Sequence, residues 1–206
     1  MIDQSEIAGV ILAGGKASRF GHIDKALLPL LGQPLIEHVI ARAAKELAEL
    51  LISVNRNSEK YEYLELPLIA DYRTAFAGPL IGIASAMRAL KSNRNSEGIK
   101  YLACFAADVP RFPENLVSRL SQQLERAQAE VAWSICNGQI QPLFSVWSLN
   151  TLPAIETAIE SGIYGPKLLF PKLKSVHVEF SYDDPLQFLN INTQACYEQA
   201  KSLIKP

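Results

Sequence analysis

Cysteine is scarce in this chain of 206 residues: Cys104, Cys136 and Cys196 are isolated, odd in number and without dithiol or zinc spacing. That leaves out a disulfide-stapled scaffold, a redox dithiol and a cysteine zinc site, and reads the three as small core residues. Histidine is as sparse. His22, His38 and His177 show no ligand spacing, and His38 falls in a helical pattern as a satisfied surface or boundary residue. Charge of one sign is missing too: 20 Lys plus Arg stand against 21 Asp plus Glu, so nothing points to nucleic acid or an anionic membrane as a partner. No apolar run approaches the length that spans a bilayer, and Met1 to Glu6 lacks the basic start and apolar core of a signal peptide. The expectation is a cytoplasmic protein. With no linker-like shift of composition, no repeat and no low-complexity stretch, one domain over 1–206 is expected, its 49% hydrophobic residues ample for a core.

Two phosphate motifs are also absent. The P-loop needs Gly, four residues, then Gly-Lys-Ser/Thr, but here Gly21 precedes His22. The dinucleotide pattern G-x-G-x-x-G fails because Gly14 and Gly15 are adjacent and the next glycine is Gly21. Hydride-transfer chemistry is therefore disfavoured.

What is present is a different glycine loop. Ile7 to Ala13 is an apolar run of the kind that forms a buried parallel strand, and Gly14 and Gly15 follow it, able to bring backbone N–H groups close to an anion. Arg19 and Lys25 add cations suited to phosphate oxygens, and the segment reads as a triphosphate site. Strand-like and amphipathic segments then alternate, the pattern of an α/β sheet covered on both faces. Ala26 to Leu30 reads as extended, Pro34 starts a helix with Leu35, Val39, Ala43 and Leu47 on one face, and Leu51 to Val54 is a strand. Leu68 to Ala70 is another, Gly78-Pro79-Leu80-Ile81-Gly82 opens a helix through Leu90, and Tyr101 to Ala107 is a further buried strand. In the second half, Val131 to Cys136 and Leu143 to Trp147 flank a hairpin signal at Asn137-Gly138. A helix is expected over Leu152 to Glu160, another from Gly165-Pro166, a strand over Val176 to Phe180, and a helix capped by Thr193 running towards Ile204.

Four strands thus deliver Gly14, Asn55, Asp71 and Asp108 at their carboxyl ends, the edge where open α/β sheets collect ligands. Asp108 fits a magnesium ligand, since a nucleotide's divalent ion often takes one or two protein carboxylates and completes its shell with phosphate and water. An Asx turn or helix cap is the commoner fate of a lone aspartate there. Asn55 offers an amide for a ribose or base edge, and Asp71 can accept from guanine N1 and N2. Trp133, Trp147 and the aromatics around Phe144 read as core rather than as stacking platforms.

Leu12-Ala13-Gly14-Gly15-x-x-x-Arg19-Phe20-Gly21-x-x-Asp24-Lys25, then Leu27-Leu28 and Gly32-x-Pro34-Leu35-Ile36-x-His38-Val39, strongly resembles the molybdenum cofactor guanylyltransferases. The likeness continues through Val54-Asn55, Ile69-Ala70-Asp71, the Gly78 segment, Ala107-Asp108-Val109-Pro110 and Phe188-x-Asn190-x-Asn192-Thr193. It implies a Rossmann-like three-layer α/β sandwich around a mostly parallel sheet, and transfer of GMP from GTP to molybdenum-molybdopterin with magnesium. Carried over by position, Leu12, Ala13, Gly14, Gly15, Lys25, Asn55, Asp71, Gly78, Pro79, Leu80 and Asp108 would bind GTP, and Asp108 would also bind magnesium. Arg19, Lys25 and Asp108 would be catalytic, and Asn190 and Asn192 would serve the pterin side. The resemblance implies a GTP-binding part at about 1–110, an acceptor part at about 111–206, and delivery to molybdoenzymes or their chaperones. Related cytidylyltransferases tend to read Leu-Ala-Ala-Gly, and Gly14 and Gly78-Pro79-Leu80 are the guanine-type features. Phe20, His22 and Gln141 to Phe144 depart from the family pattern without removing a proposed ligand. The alternatives are a cytidylyl- or sugar-1-phosphate nucleotidyltransferase of the same fold and a nucleotide-binding module without catalysis.

Overall fold

The computed structural model of the chain describes residues 1–14, 24–73, 78–182 and 184–203. In chain order the regular elements are β1 (Ile7–Leu12), β2 (Pro29–Leu30), β3 (Gln33–Pro34), α1 (Leu35–Ala43), β4 (Glu49–Ser53), β5 (Leu68–Ile69), α2 (Pro79–Ser92) and β6 (Tyr101–Ala106). The second half adds α3 (Leu116–Arg126), β7 (Val131–Cys136), β8 (Gln139–Ser148), α4 (Leu152–Glu160), α5 (Pro166–Leu169), β9 (Ser175–Phe180) and α6 (Gln194–Leu203). Seven strands form one sheet in the order β5-β4-β1-β6-β8-β7-β9, and β2 pairs with β3 separately. β5, β4, β1 and β6 run parallel, β8 is antiparallel to both its neighbours, and β7 and β9 are parallel. The expected mostly parallel α/β sheet is therefore observed.

β1 shows why the centre is so apolar. It is hydrogen-bonded on both edges, and helices cover both faces, so every residue from Ile7 to Ile11 is buried. Ile7 and Ile11 face a core shared with Ile36 and Val39 of α1 and Leu116, Leu120 and Leu124 of α3. Ala8 and Val10 face the opposite core with Ile83 and Met87 of α2 and Ile155 and Ile159 of α4. Fully burying a Leu, Ile or Val side chain is worth roughly 1.5–3 kcal/mol, so these two layers fix the strand order. Trp147, Phe144, Cys104 and Cys136 are core residues as expected, and Trp133 stacks on Phe170 at 5.1 Å. His38 Nε2 lies 2.8 Å from the Leu30 carbonyl oxygen, consistent with a boundary residue.

Several boundaries differ from the sequence reading. Lys25–Leu27 forms a 3-10 turn, so only Pro29–Leu30 of the expected extended segment is strand. The hairpin turns at Asn137 and Gly138, with φ of 49° and 68°, and a bulge between Trp133 and Ser134 shifts its register. Thr193 Oγ1 accepts from Cys196 N at 3.2 Å, capping α6, which is described as far as Leu203. Helix α3 is absent from the sequence reading, although Leu116, Leu120 and Leu124 recur at i, i+4 on its buried face. Among the described residues, no helix is long and apolar enough to cross a membrane.

Candidate active site

A cavity of about 530 Å³ opens at the carboxyl edge of β1, β4, β5 and β6. It is lined by Leu12 at the end of β1, Ala13 and Gly14 after it, Asn55 after β4, Asp71 after β5, Gly78 and Pro79 at the start of α2, and Asp108 after β6. Asp24 and Lys25 close one side, and Asn190 and Asn192 enter from far along the chain. Leu80 is the exception among the described candidates. Its side chain is fully buried in the core under α2, and its amide donates to the Tyr164 carbonyl at 3.1 Å, so it shapes the helix start rather than the cavity wall. Gly15 and Arg19 lie outside the described residues, as do Phe20 and His22.

Asn55 and Asp71 form a reciprocal pair across the strand ends. Asn55 Nδ2 donates to Asp71 Oδ2 at 2.8 Å, and the Asp71 amide donates to Asn55 Oδ1 at 2.7 Å. The other carboxylate oxygen, Asp71 Oδ1, is buried with no hydrogen-bond partner among the described residues. An unmatched buried acceptor costs about 1–3 kcal/mol, which a bound donor would recover. Burial raises the Asp71 pKa, with the Asn55 hydrogen bond opposing that shift. A Cβ on Gly14 would stand 3.0 Å from Asn55 Nδ2, so the absence of a side chain there leaves the pair its room.

The start of α2 is built as tightly. Gly78 has φ of +138°, outside the range of ordinary side chains, and a Cβ there would meet the Tyr164 carbonyl oxygen at 2.7 Å. Gly82, one turn on, packs against β1 and β4: a Cβ would lie 2.8 Å from Ser53 Oγ and 2.9 Å from Leu12 Cδ2. These contacts bring the helix N-terminus, with its partial positive charge, to the cavity.

On the opposite wall, Lys25 Nζ donates to Asn192 Oδ1 at 2.6 Å. Asp108 is held through its backbone, its carbonyl accepting from Ile191 N at 2.9 Å. Its carboxyl pKa is raised by burial, while the positive charge of Lys25 draws it back. A desolvated carboxylate of this kind, open to the cavity, suits a hard divalent cation. Among the described residues no cluster of three or more His, Cys, Asp or Glu could hold a metal alone.

Sequence reasoning did not single out Ser53, Gly82, Asp24, Ala26 or Leu143 as lining residues. Asp24 and Gly82 carried a signal, one beside Lys25 and the other closing the Gly78 segment. Leu143 comes from the antiparallel β8, whose partner strand only the sheet order reveals.

A parallel sheet edge that gathers Gly14, Lys25 and two strand-end aspartates is where an α/β enzyme takes its nucleotide, and the family match makes this one a nucleotidyltransferase. The sequence profile of the MobA-like NTP transferase domain matches residues 9–176. A molybdenum cofactor guanylyltransferase from Bordetella petrii is 35% identical over 205 residues, spanning 97% of this chain and 99% of its own. Another from Ralstonia pickettii is 32% identical over 202 residues, spanning 94% and 95%. Among solved structures, molybdopterin-guanine dinucleotide biosynthesis protein A from Archaeoglobus fulgidus superposes with a TM-score of 0.74 at 22% identity, over 95% of this chain and 97% of that one. At that identity the likeness speaks for the fold. The chain belongs to the molybdenum cofactor guanylyltransferase family, whose MobA-like NTP transferase domain it carries.

Proposed function

We propose that this protein transfers GMP from GTP to the terminal phosphate of molybdenum-molybdopterin, releasing pyrophosphate and forming the guanine dinucleotide cofactor. The observation that carries the reading is the Asn55–Asp71 pair, which sets a carboxylate acceptor in the same cavity as Lys25 and Asp108. Guanine presents adjacent donors at N1 and N2, complementary to a carboxylate. Cytosine presents an amino donor beside the N3 acceptor, which a carboxylate repels. Residues 1–110 supply the nucleotide side, and residues 111–206 supply the acceptor side through Asn190 and Asn192.

In the transfer, an oxygen of the acceptor phosphate forms a bond to the α-phosphorus of GTP, and the bond to the β-phosphate oxygen breaks in line. The nucleophile is already ionised at neutral pH, so no general base is required. The ammonium of Lys25 and the loop amides stabilise the charge that grows on the phosphates, and alignment supplies most of the remaining acceleration. Asp108 is the residue that would hold magnesium, which when bound neutralises phosphate charge and orients the triphosphate. The reaction uses soluble substrates in the cytoplasm, with the product passing to molybdoenzymes or their chaperones.

Base selectivity tests the reading. Asp71→Asn exchanges an acceptor for a mixed donor and acceptor, and discrimination of GTP over CTP should fall by about 1–3 kcal/mol. Competitive binding of the two nucleotides to wild type and variant measures it, and equal, tight binding of both by the wild type would refute the assignment.

A further inference from the structure

The segment expected to serve the acceptor touches both residues that serve the phosphates. Asn192 Oδ1 accepts from Lys25 Nζ at 2.6 Å, across 167 positions of sequence, and the neighbouring Ile191 amide donates to the Asp108 carbonyl. The tie is braced from behind. Ile191 is fully buried in a separate apolar cluster with Leu28, three residues after Lys25, and with Leu30, Leu35, Leu186 and Ala200. The Tyr197 hydroxyl, on α6, donates to the Pro29 carbonyl and fastens the same two segments once more.

We infer that Asn192 is a positioning residue for Lys25, holding the ammonium over the cavity so that the C-terminal segment helps build the triphosphate site. The inference rests on the reading of this cavity as a GTP site. A lysine side chain is long and rotamer-rich, and fixing it before the nucleotide arrives removes an ordering cost from binding. An ammonium has three donors, so it can keep this bond while turning others towards phosphate oxygens. A carboxamide is the suitable partner because it orients the ammonium without neutralising it. A carboxylate in its place would form an ion pair that competes with phosphate. On this inference Asn192 acts on the phosphate part of the nucleotide, and not on the base.

Calorimetric titration of the full-length protein with GTP and with GMP, in magnesium and without acceptor, tests this. Asn192→Ala should weaken GTP binding about three- to tenfold, the scale of one hydrogen bond, while GMP affinity stays near wild type. Asn192→Asp, nearly isosteric, should lower the GTP-to-GMP affinity ratio further. In a Lys25→Met background, Asn192→Ala should have no additional effect on that ratio, because the interaction it removes is already gone. A ratio unchanged by both Asn192 variants, or an equal further loss in the Lys25→Met background, overturns the inference. If the wild type binds no GTP, it is the underlying reading that fails.

Discussion

At the scale of single residues, the two cavity aspartates are held at a disadvantage that function explains. Burial raises the pKa of both Asp71 and Asp108. A carboxyl whose folded pKa is raised contributes stability that is fully present below its unfolded pKa and is lost as pH rises through the folded value. Burial thus disfavours the ionised form of each in the folded protein. Asp108→Asn keeps the shape and sheds the charge, so its melting temperature at pH 7 should equal or exceed that of wild type. The difference should shrink as pH falls into the carboxylate range. Activity should nevertheless collapse or demand much more magnesium. Melting curves across pH, alongside activity against magnesium concentration, check both halves. A less stable variant with an unmoved magnesium profile would make Asp108 a turn residue.

At the scale of elements, the glycines around α2 decide where the helix starts. Gly78→Ala places a Cβ 2.7 Å from the Tyr164 carbonyl oxygen at a φ of +138°. Strain of this kind costs about 1–3 kcal/mol. Denaturant unfolding should show that loss, together with weaker nucleotide binding, because the helix start lines the cavity; a fully stable variant would contradict the geometry. This part of the site was legible in the sequence because it is local. Gly14, Asn55, Asp71 and Asp108 each follow an apolar run, and a run ending in a polar residue marks its own strand end. Helix α3 was harder to read: its apolar face is four residues, Leu116, Val117, Leu120 and Leu124, set among polar neighbours. The bulge of β8 opposite Trp133 and Ser134 and the contact of Leu143 with the cavity depend on sheet order, which one strand's sequence does not encode. The Lys25–Asn192 bond joins residues 167 apart and depends on long-range packing, with Ile191 and Leu28 in one apolar cluster, that no local pattern announces.

At the scale of the whole molecule, the parallel half of the sheet carries the residues proposed for the nucleotide, and the chain returns after β7, β8 and β9 to complete the same cavity with Asn190 and Asn192, just before α6. The cavity draws lining residues from both halves of the chain, and the likeness to the guanylyltransferase from Bordetella petrii spans 97% of it. The central claim is that this cavity joins GMP, and no other nucleotide, to a pterin phosphate. The direct measurement is to incubate the protein with magnesium, molybdenum-molybdopterin and each nucleoside triphosphate in turn, then weigh the pterin product by mass spectrometry and count pyrophosphate. GTP alone should give a dinucleotide heavier than the acceptor by one GMP unit, with one pyrophosphate released per product. A CMP-containing product of comparable yield, or GTP bound without pyrophosphate release, would contradict the account.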